Sequence, residues 1–176
     1  AGLRLVTTRT RRDVTDLQQA WIARTLPELE ARDLHGFVFK SKSPSSALRD
    51  ARRHSATGMP AGKGPGLFAG AFLQRFPLLP VEDEGRLQDP GVRGNFIERV
   101  FTFQRWRRCV EDGSPAALVA FHARHKLLLM SHSVTAARAL GKLVAGAGPL
   151  PSARLFEAYT ALLLPALQLQ ATRRKH

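Results

Sequence analysis

Four serines crowd into Lys40-Ser41-Lys42-Ser43-Pro44-Ser45-Ser46, where hydroxyls and backbone N–H groups flanked by Lys40 and Lys42 can cradle an anion or orient a polar substrate. A serine there acts as nucleophile or proton relay if a base stands beside it. The plainer reading of the same residues is a solvated turn held by local serine-to-backbone hydrogen bonds. A second group, Arg105-Trp106-Arg107-Arg108, joins guanidiniums suited to phosphates with an indole able to stack on a base. Helical periodicity assigns Trp106 to a core instead, leaving the arginines as the functional part. In a third group, Phe121-His122-Ala123-Arg124-His125-Lys126, His122 and His125 share one helical face, with His132 two turns further on. Zinc wants four ligands, and neither an acid nor a cysteine stands nearby at ligand spacing, so no metal site is expected. Contact with nucleic acid, or structural use in a helix interface, fits these histidines better. The terminal Arg173-Arg174-Lys175 reads as a basic tail able to add phosphate contacts without specificity.

The elements that must hold these residues follow from periodicity. Leu17, Trp21, Ile22, Leu26 and Leu29 recur at helical spacing between Val14 and Asp33, with Thr15 placed as an N-cap and Pro27 inside. Gly36-Phe37-Val38-Phe39 reads as a buried parallel strand, which puts the serine loop at a strand's carboxyl end, where open α/β sheets bind their ligands. A flexible stretch from Arg52 to Gly66, rich in glycine, precedes a helix over Leu67 to Phe76, and Leu78 to Val81 suits a short edge strand. Asn95 to Arg108 is a basic amphipathic helix with the apolar stripe Phe96, Ile97, Val100, Phe101, Phe103 and Trp106. Gly113, Ser114 and Pro115 then suit the C′, N-cap and N1 positions of a helix-to-helix break. Three helices follow: Pro115 to His132, Val134 to Gly146, and Pro151 to about Leu169, the last two parted by Gly146-Ala147-Gly148-Pro149. The expected architecture is an α/β segment over 1–113 followed by a small all-α domain over 114–176.

The chain of 176 residues carries 27 Lys and Arg against 14 Asp and Glu, a net charge of +13 that attracts polyanions. Arginine-rich composition alone also produces such charge. Residues 1–113 hold 19 basic and 13 acidic residues; residues 114–176 hold eight and one, so the helical part is the more basic per residue. One cysteine, Cys109, excludes an internal disulfide and suits a reducing cytoplasm. Neither a membrane span nor an export signal is legible. The start at Ala1 reads as the later portion of something longer.

Three runs, Gly36 through Ser46, Pro80-Val81-Glu82-Asp83-Glu84-Gly85-Arg86-Leu87 and Asn95-Phe96-Ile97-Glu98-Arg99-Val100-Phe101, resemble the later half of the thiouracil desulfidase-like family. Leu118-Val119-Ala120-Phe121-His122 with Arg124-His125-Lys126, and then Leu140-Gly141-Lys142-Leu143-Val144-Ala145, resemble the YbgA-type domain. The motifs occur in this order in fused two-domain proteins. The resemblance implies a tRNA 4-thiouridine desulfidase whose cysteine-held [4Fe–4S] cluster binds the substrate sulfur while hydrolysis leaves uridine. It implies that Ser43 is the catalytic serine and that Ser46 stands where single-domain relatives ligate the cluster with cysteine; Ser41 and Ser46 are the candidate catalytic residues beside Ser43. Lys40, Lys42, Arg105, Arg107, Arg108, His122, Arg124, His125, Lys126 and Lys142 are the expected RNA contacts. The family's cysteine-bearing amino-terminal half is missing from this chain, so no cluster and no turnover are expected of it alone. Two alternatives remain: a non-catalytic RNA-binding protein, and a helical protein-interaction domain.

Overall fold

The computed structural model describes residues 3–55, 57–146 and 152–171. It divides into two compact units, residues 1–89 and 90–176. The tail Arg173-Arg174-Lys175, the start of the last expected helix at Pro151, and residues 147–149 of the preceding break lie outside the described residues.

In the first unit, α1 covers Thr15–Glu30. Its N-cap position is Val14, one residue earlier than expected and without a side-chain cap; just before it the Asp13 carboxylate accepts the Thr15 N–H (2.8 Å) and the Thr15 hydroxyl proton (2.5 Å), and Thr15 Oγ1 accepts the Leu5 N–H (2.8 Å). These bonds and Arg4 hold the Asp13 carboxyl down at about 2. The strands β1 (Phe37–Phe39) and β4 (Val81–Asp83) form a parallel pair in the register Phe37 with Val81 and Phe39 with Asp83. β4 begins where the expected strand ended, because Pro80 has no N–H to contribute and offers only its carbonyl, which accepts from Phe37 (3.0 Å).

β1 is parallel as expected but covered on one side only. Its period of two sends Phe37 and Phe39 against Phe68 and Phe72 of α2 (Leu67–Arg75), while Val38 is 47 % exposed. The stretch expected to be flexible is instead an antiparallel hairpin, β2 (Ala51–His54) with β3 (Pro60–Gly64). Its glycines are used as conformational devices: Gly58 and Gly62 take φ of +84° and +102°.

Among the described residues the second unit is four helices: α3 (Pro90–Asp112), α4 (Pro115–His132), α5 (Val134–Ala145) and α6 (Ser152–Gln168). Gly113 adopts φ of +67°, Ser114 accepts the Ala117 N–H, and Pro115 opens α4, as their residue types require. The compact division lies earlier than the boundary expected after residue 113. The reason is α3: its Trp106 and Cys109 enter one core with Leu118, Phe121, Leu129, Leu140, Leu155, Tyr159 and Leu163. Trp106 lies 4.9–5.6 Å from the rings of Phe121, Phe156 and Tyr159 and donates its indole N–H to Thr160 Oγ1 (3.1 Å). Among the described residues no helix is long and apolar enough to cross a membrane.

Candidate functional site

Parallel pairing of β1 and β4 brings their two following loops together at the carboxyl ends of the strands. Ser41 joins them: its Oγ accepts the Gly85 N–H (3.0 Å) and donates to Asp83 Oδ1 (3.2 Å). The proton and one lone pair of Ser41 are thereby occupied in holding the loop. A side chain at Gly85 would crowd this bond, since a Cβ there would sit 2.8 Å from Ser41 Oγ.

Behind Ser41 lie two carboxylates, Glu82 at 4 % and Asp83 at 9 % exposure. Buried acids need partners, and Arg49 provides one for both, Nη1 donating to Glu82 Oε1 (2.7 Å) and Asp83 Oδ2 (3.0 Å). Arg86 Nε adds a bond to Glu82 (3.1 Å), and the Arg86 N–H donates to Asp83 Oδ1 (2.9 Å). Lys40 is an exposed partner of Glu84 (2.8 Å). Lys42 takes a left-handed φ of +58°, and its N–H donates to Asp50 (2.9 Å).

Ser43, Ser45 and Ser46 form the turn that local hydrogen bonding favours. Ser43 Oγ accepts the Ser46 N–H (3.1 Å) and the Ser43 carbonyl accepts the Ala47 N–H (3.0 Å). The Ser45 carbonyl accepts from Phe68 (3.0 Å) and Ala69 (3.3 Å), both in the first turn of α2. The serine loop thus caps α2 with a backbone oxygen, and Gly66 is what permits so close an approach: a Cβ on it would lie 2.2 Å from the Ser45 oxygen. Sequence reasoning overlooked Arg49, Asp50 and Gly66 as parts of this site. It met Glu82, Asp83 and Arg86 only inside a motif, and the helical i,i+4 rule does not reach a pair that runs from strand β4 into the turn after it.

The second unit separates the other expected residues by burial. Arg105, Arg108, Arg124, Lys126 and Lys142 are exposed and Arg107 is half-buried. His122 is half-buried with Nδ1 3.0 Å from the Tyr159 hydroxyl. His125 is a core residue, 3 % exposed, stacked on Phe121 with Nδ1 2.8 Å from the Phe121 carbonyl, so it is not placed to meet RNA. His132 is also buried, its Nδ1 on the Leu169 carbonyl and its Nε2 3.3 Å from Glu98. Among the described residues no group of three or more His, Cys, Asp or Glu could hold a metal ion.

Burial holds both His122 and His125 below the ordinary 6.5, with Lys126 adding to the effect on the first and Arg105 and Arg124 on the second. An imidazole kept neutral by the fold stabilises it fully above the unfolded pKa, and that contribution is lost as pH falls below about 6.5, where the unfolded chain takes up the proton first. The thermal midpoint should therefore drop as pH is lowered from about 7 to about 5. His125→Leu should shrink that drop; an unchanged pH profile would contradict the assignment.

Divided at residue 89, the first unit has 14 basic and 10 acidic residues and the second 13 and 4, so most of the net charge, +9 of +13, belongs to the second unit. Residues 2–84 match the family model described as 2-thiouracil desulfurase, and residues 126–176 match that of a protein of unknown function, DUF1722. The run Asn95–Phe101 falls between the two matched segments. No match was found to a curated protein or to a solved structure. The segment bearing the serine loop is thus similar to the 2-thiouracil desulfurases and the end of the chain to the DUF1722 domains, in the order of the fusion that its motifs resemble.

Proposed function

We propose that this chain is part of a tRNA desulfidase that converts 4-thiouridine to uridine, its first unit forming part of the active-site wall and its helical unit binding tRNA. The observation that carries the reading is the convergence of the β1 and β4 loops, fixed by Ser41, Asp83 and Gly85, within the segment matched to the 2-thiouracil desulfurases. The reaction replaces the sulfur on C4 with oxygen from water and releases sulfide. Ser43 suits a role at the water: its Oγ already accepts the Ser46 N–H, which orients the hydroxyl, and no hydrogen bond among the described residues takes its proton.

The [4Fe–4S] cluster implied by the family requires several cysteine thiolates. This chain has the single Cys109, buried in the helical core with its thiol pushed up to about 11, by burial first and by Asp112 second. The residues present here do not fit such a cluster. That observation also favours a second reading, a non-catalytic RNA-binding protein, which predicts equal affinity for thiolated and plain tRNA.

Binding itself is tested by salt. Neutralising Arg124 and Lys126, both exposed on α4, should weaken tRNA binding, each lost phosphate contact lowering the slope of log K against log salt by about one. An unchanged slope would remove these residues from the interface, and failure to bind RNA at low salt would favour a protein-interaction domain.

A further inference from the structure

Ile97, Phe101, Arg105 and Arg108 follow one another along α3 at spacings of four, four and three, which places them on one face of the helix. The opposite face carries Phe103, Trp106 and Cys109 into the core. All four residues of the first face are exposed, Ile97 at 48 % and Phe101 at 53 %. The guanidinium carbon of Arg105 lies 6.0 Å from the centroid of the Phe101 ring. A cation over an aromatic face fixes both groups in one geometry while leaving the ring open to a further planar partner.

Packing within the unit gives no reason for this arrangement, because the core is built from the other side of α3. An exposed aromatic side chain beside two guanidiniums is instead the composition of a surface that stacks on a nucleobase and grips the neighbouring phosphate. The charge of the unit agrees: 13 basic residues against 4 acidic ones over residues 90–176. Asp112, four residues beyond Arg108 on the same face, is occupied in accepting the Ser114 N–H and hydroxyl, and Glu98 is turned to His132. We propose that Phe101 and Arg105 form a stacking platform for one unpaired base of RNA, with Arg108 on an adjoining phosphate. This rests on the reading that the helical unit binds tRNA. A protein contact through Ile97 and Phe101 is the competing use of the face, and the charge beside it favours RNA.

The test uses the whole chain, unmodified tRNA and a single-stranded oligoribonucleotide, with dissociation constants measured across a salt series. Phe101→Ala should raise the dissociation constant roughly 5- to 100-fold with the salt slope unchanged, since a lost stacking contact releases no counterions. Arg105→Gln and Arg108→Gln should each lower the slope by about one. Phe101→Trp should restore binding and lose indole fluorescence when RNA is added, whereas Phe101→Leu, which keeps apolar volume but no ring, should not restore it. Wild-type affinity in Phe101→Ala would overturn the platform while leaving RNA binding intact, as would equal rescue by Leu and Trp. A wild-type chain that binds neither RNA at low salt would overturn the reading beneath it, and the platform with it.

Discussion

In the desulfidase of which this chain is proposed to be part, Gly66→Ala is expected to reduce desulfuration by on the order of 100-fold while leaving tRNA affinity unchanged. The backbone of Gly66, with φ of −69° and ψ of 170°, is one any residue can adopt, so the effect comes from space alone. A Cβ would lie 2.2 Å from the Ser45 oxygen, 2.4 Å from its carbonyl carbon and 2.7 Å from the Pro44 oxygen, all backbone atoms that no rotamer change can clear. An ordinary contact is about 1 Å longer, so the loop must retreat from α2 by that amount. The retreat stretches the bonds from the Phe68 and Ala69 N–H groups to Ser45 and displaces Ser43 from the position set by Ser46 and Ala47. Misplacing a catalytic group by about 1 Å costs on the order of 100-fold. Faster hydrogen exchange at Phe68 and Ala69, without change elsewhere, would report the local movement. A Gly66→Ala protein with full turnover would show that the loop is not part of the site.

Trp106→Ala should destabilise the helical unit by about 3–5 kcal/mol, the usual range for emptying a large aromatic site in a core. Trp106 is 2 % exposed and meets three rings from two other helices, Phe121 of α4 and Phe156 and Tyr159 of α6. Its indole N–H is spent on Thr160, which in turn donates to the Phe156 carbonyl (2.7 Å). Trp106→Phe keeps most of the ring contacts and loses that bond, so it should cost only about 1–2 kcal/mol. Denaturant melts followed by far-ultraviolet circular dichroism measure both. Equal, small effects in the two variants would mean that α3 does not belong to this core.

Much of this fold was legible because it rests on local rules. Helix periodicity marked α2 and α4, and the Gly113-Ser114-Pro115 break was read from capping chemistry that needs no tertiary information. Trp106 was readable as core for the same reason, since its position on the stripe follows from spacing alone. What escaped depends on contacts far apart in sequence. The hairpin β2–β3 hid behind glycines and prolines that also suit a loop, and only its pairing shows that they serve turns and a bulged register. The halves of the acid network, Arg49 with Glu82 and Asp83, stand 33 and 34 residues apart, and no local pattern connects them. His122 and His125 look alike in sequence, yet one borders Tyr159 at half exposure and the other is stacked in the core. Their difference is set by where α4 meets its neighbours. Phe101 and Phe103 divide in the same way, one outward and one inward, although both lie on the stripe first read as apolar.

The central claim is that the serine loop belongs to an active site acting on 4-thiouridine in tRNA bound by the helices. It is tested most directly by expressing the protein from its whole reading frame, reconstituting it anaerobically with iron and sulfide, and following loss of the thiouridine absorbance from tRNA, with Ser43→Ala alongside. The account predicts uridine and sulfide from the wild type, and from Ser43→Ala unchanged tRNA affinity with no turnover. Wild-type protein that binds thiolated and plain tRNA equally and leaves the sulfur in place, or a Ser43→Ala variant as fast as wild type, would contradict it.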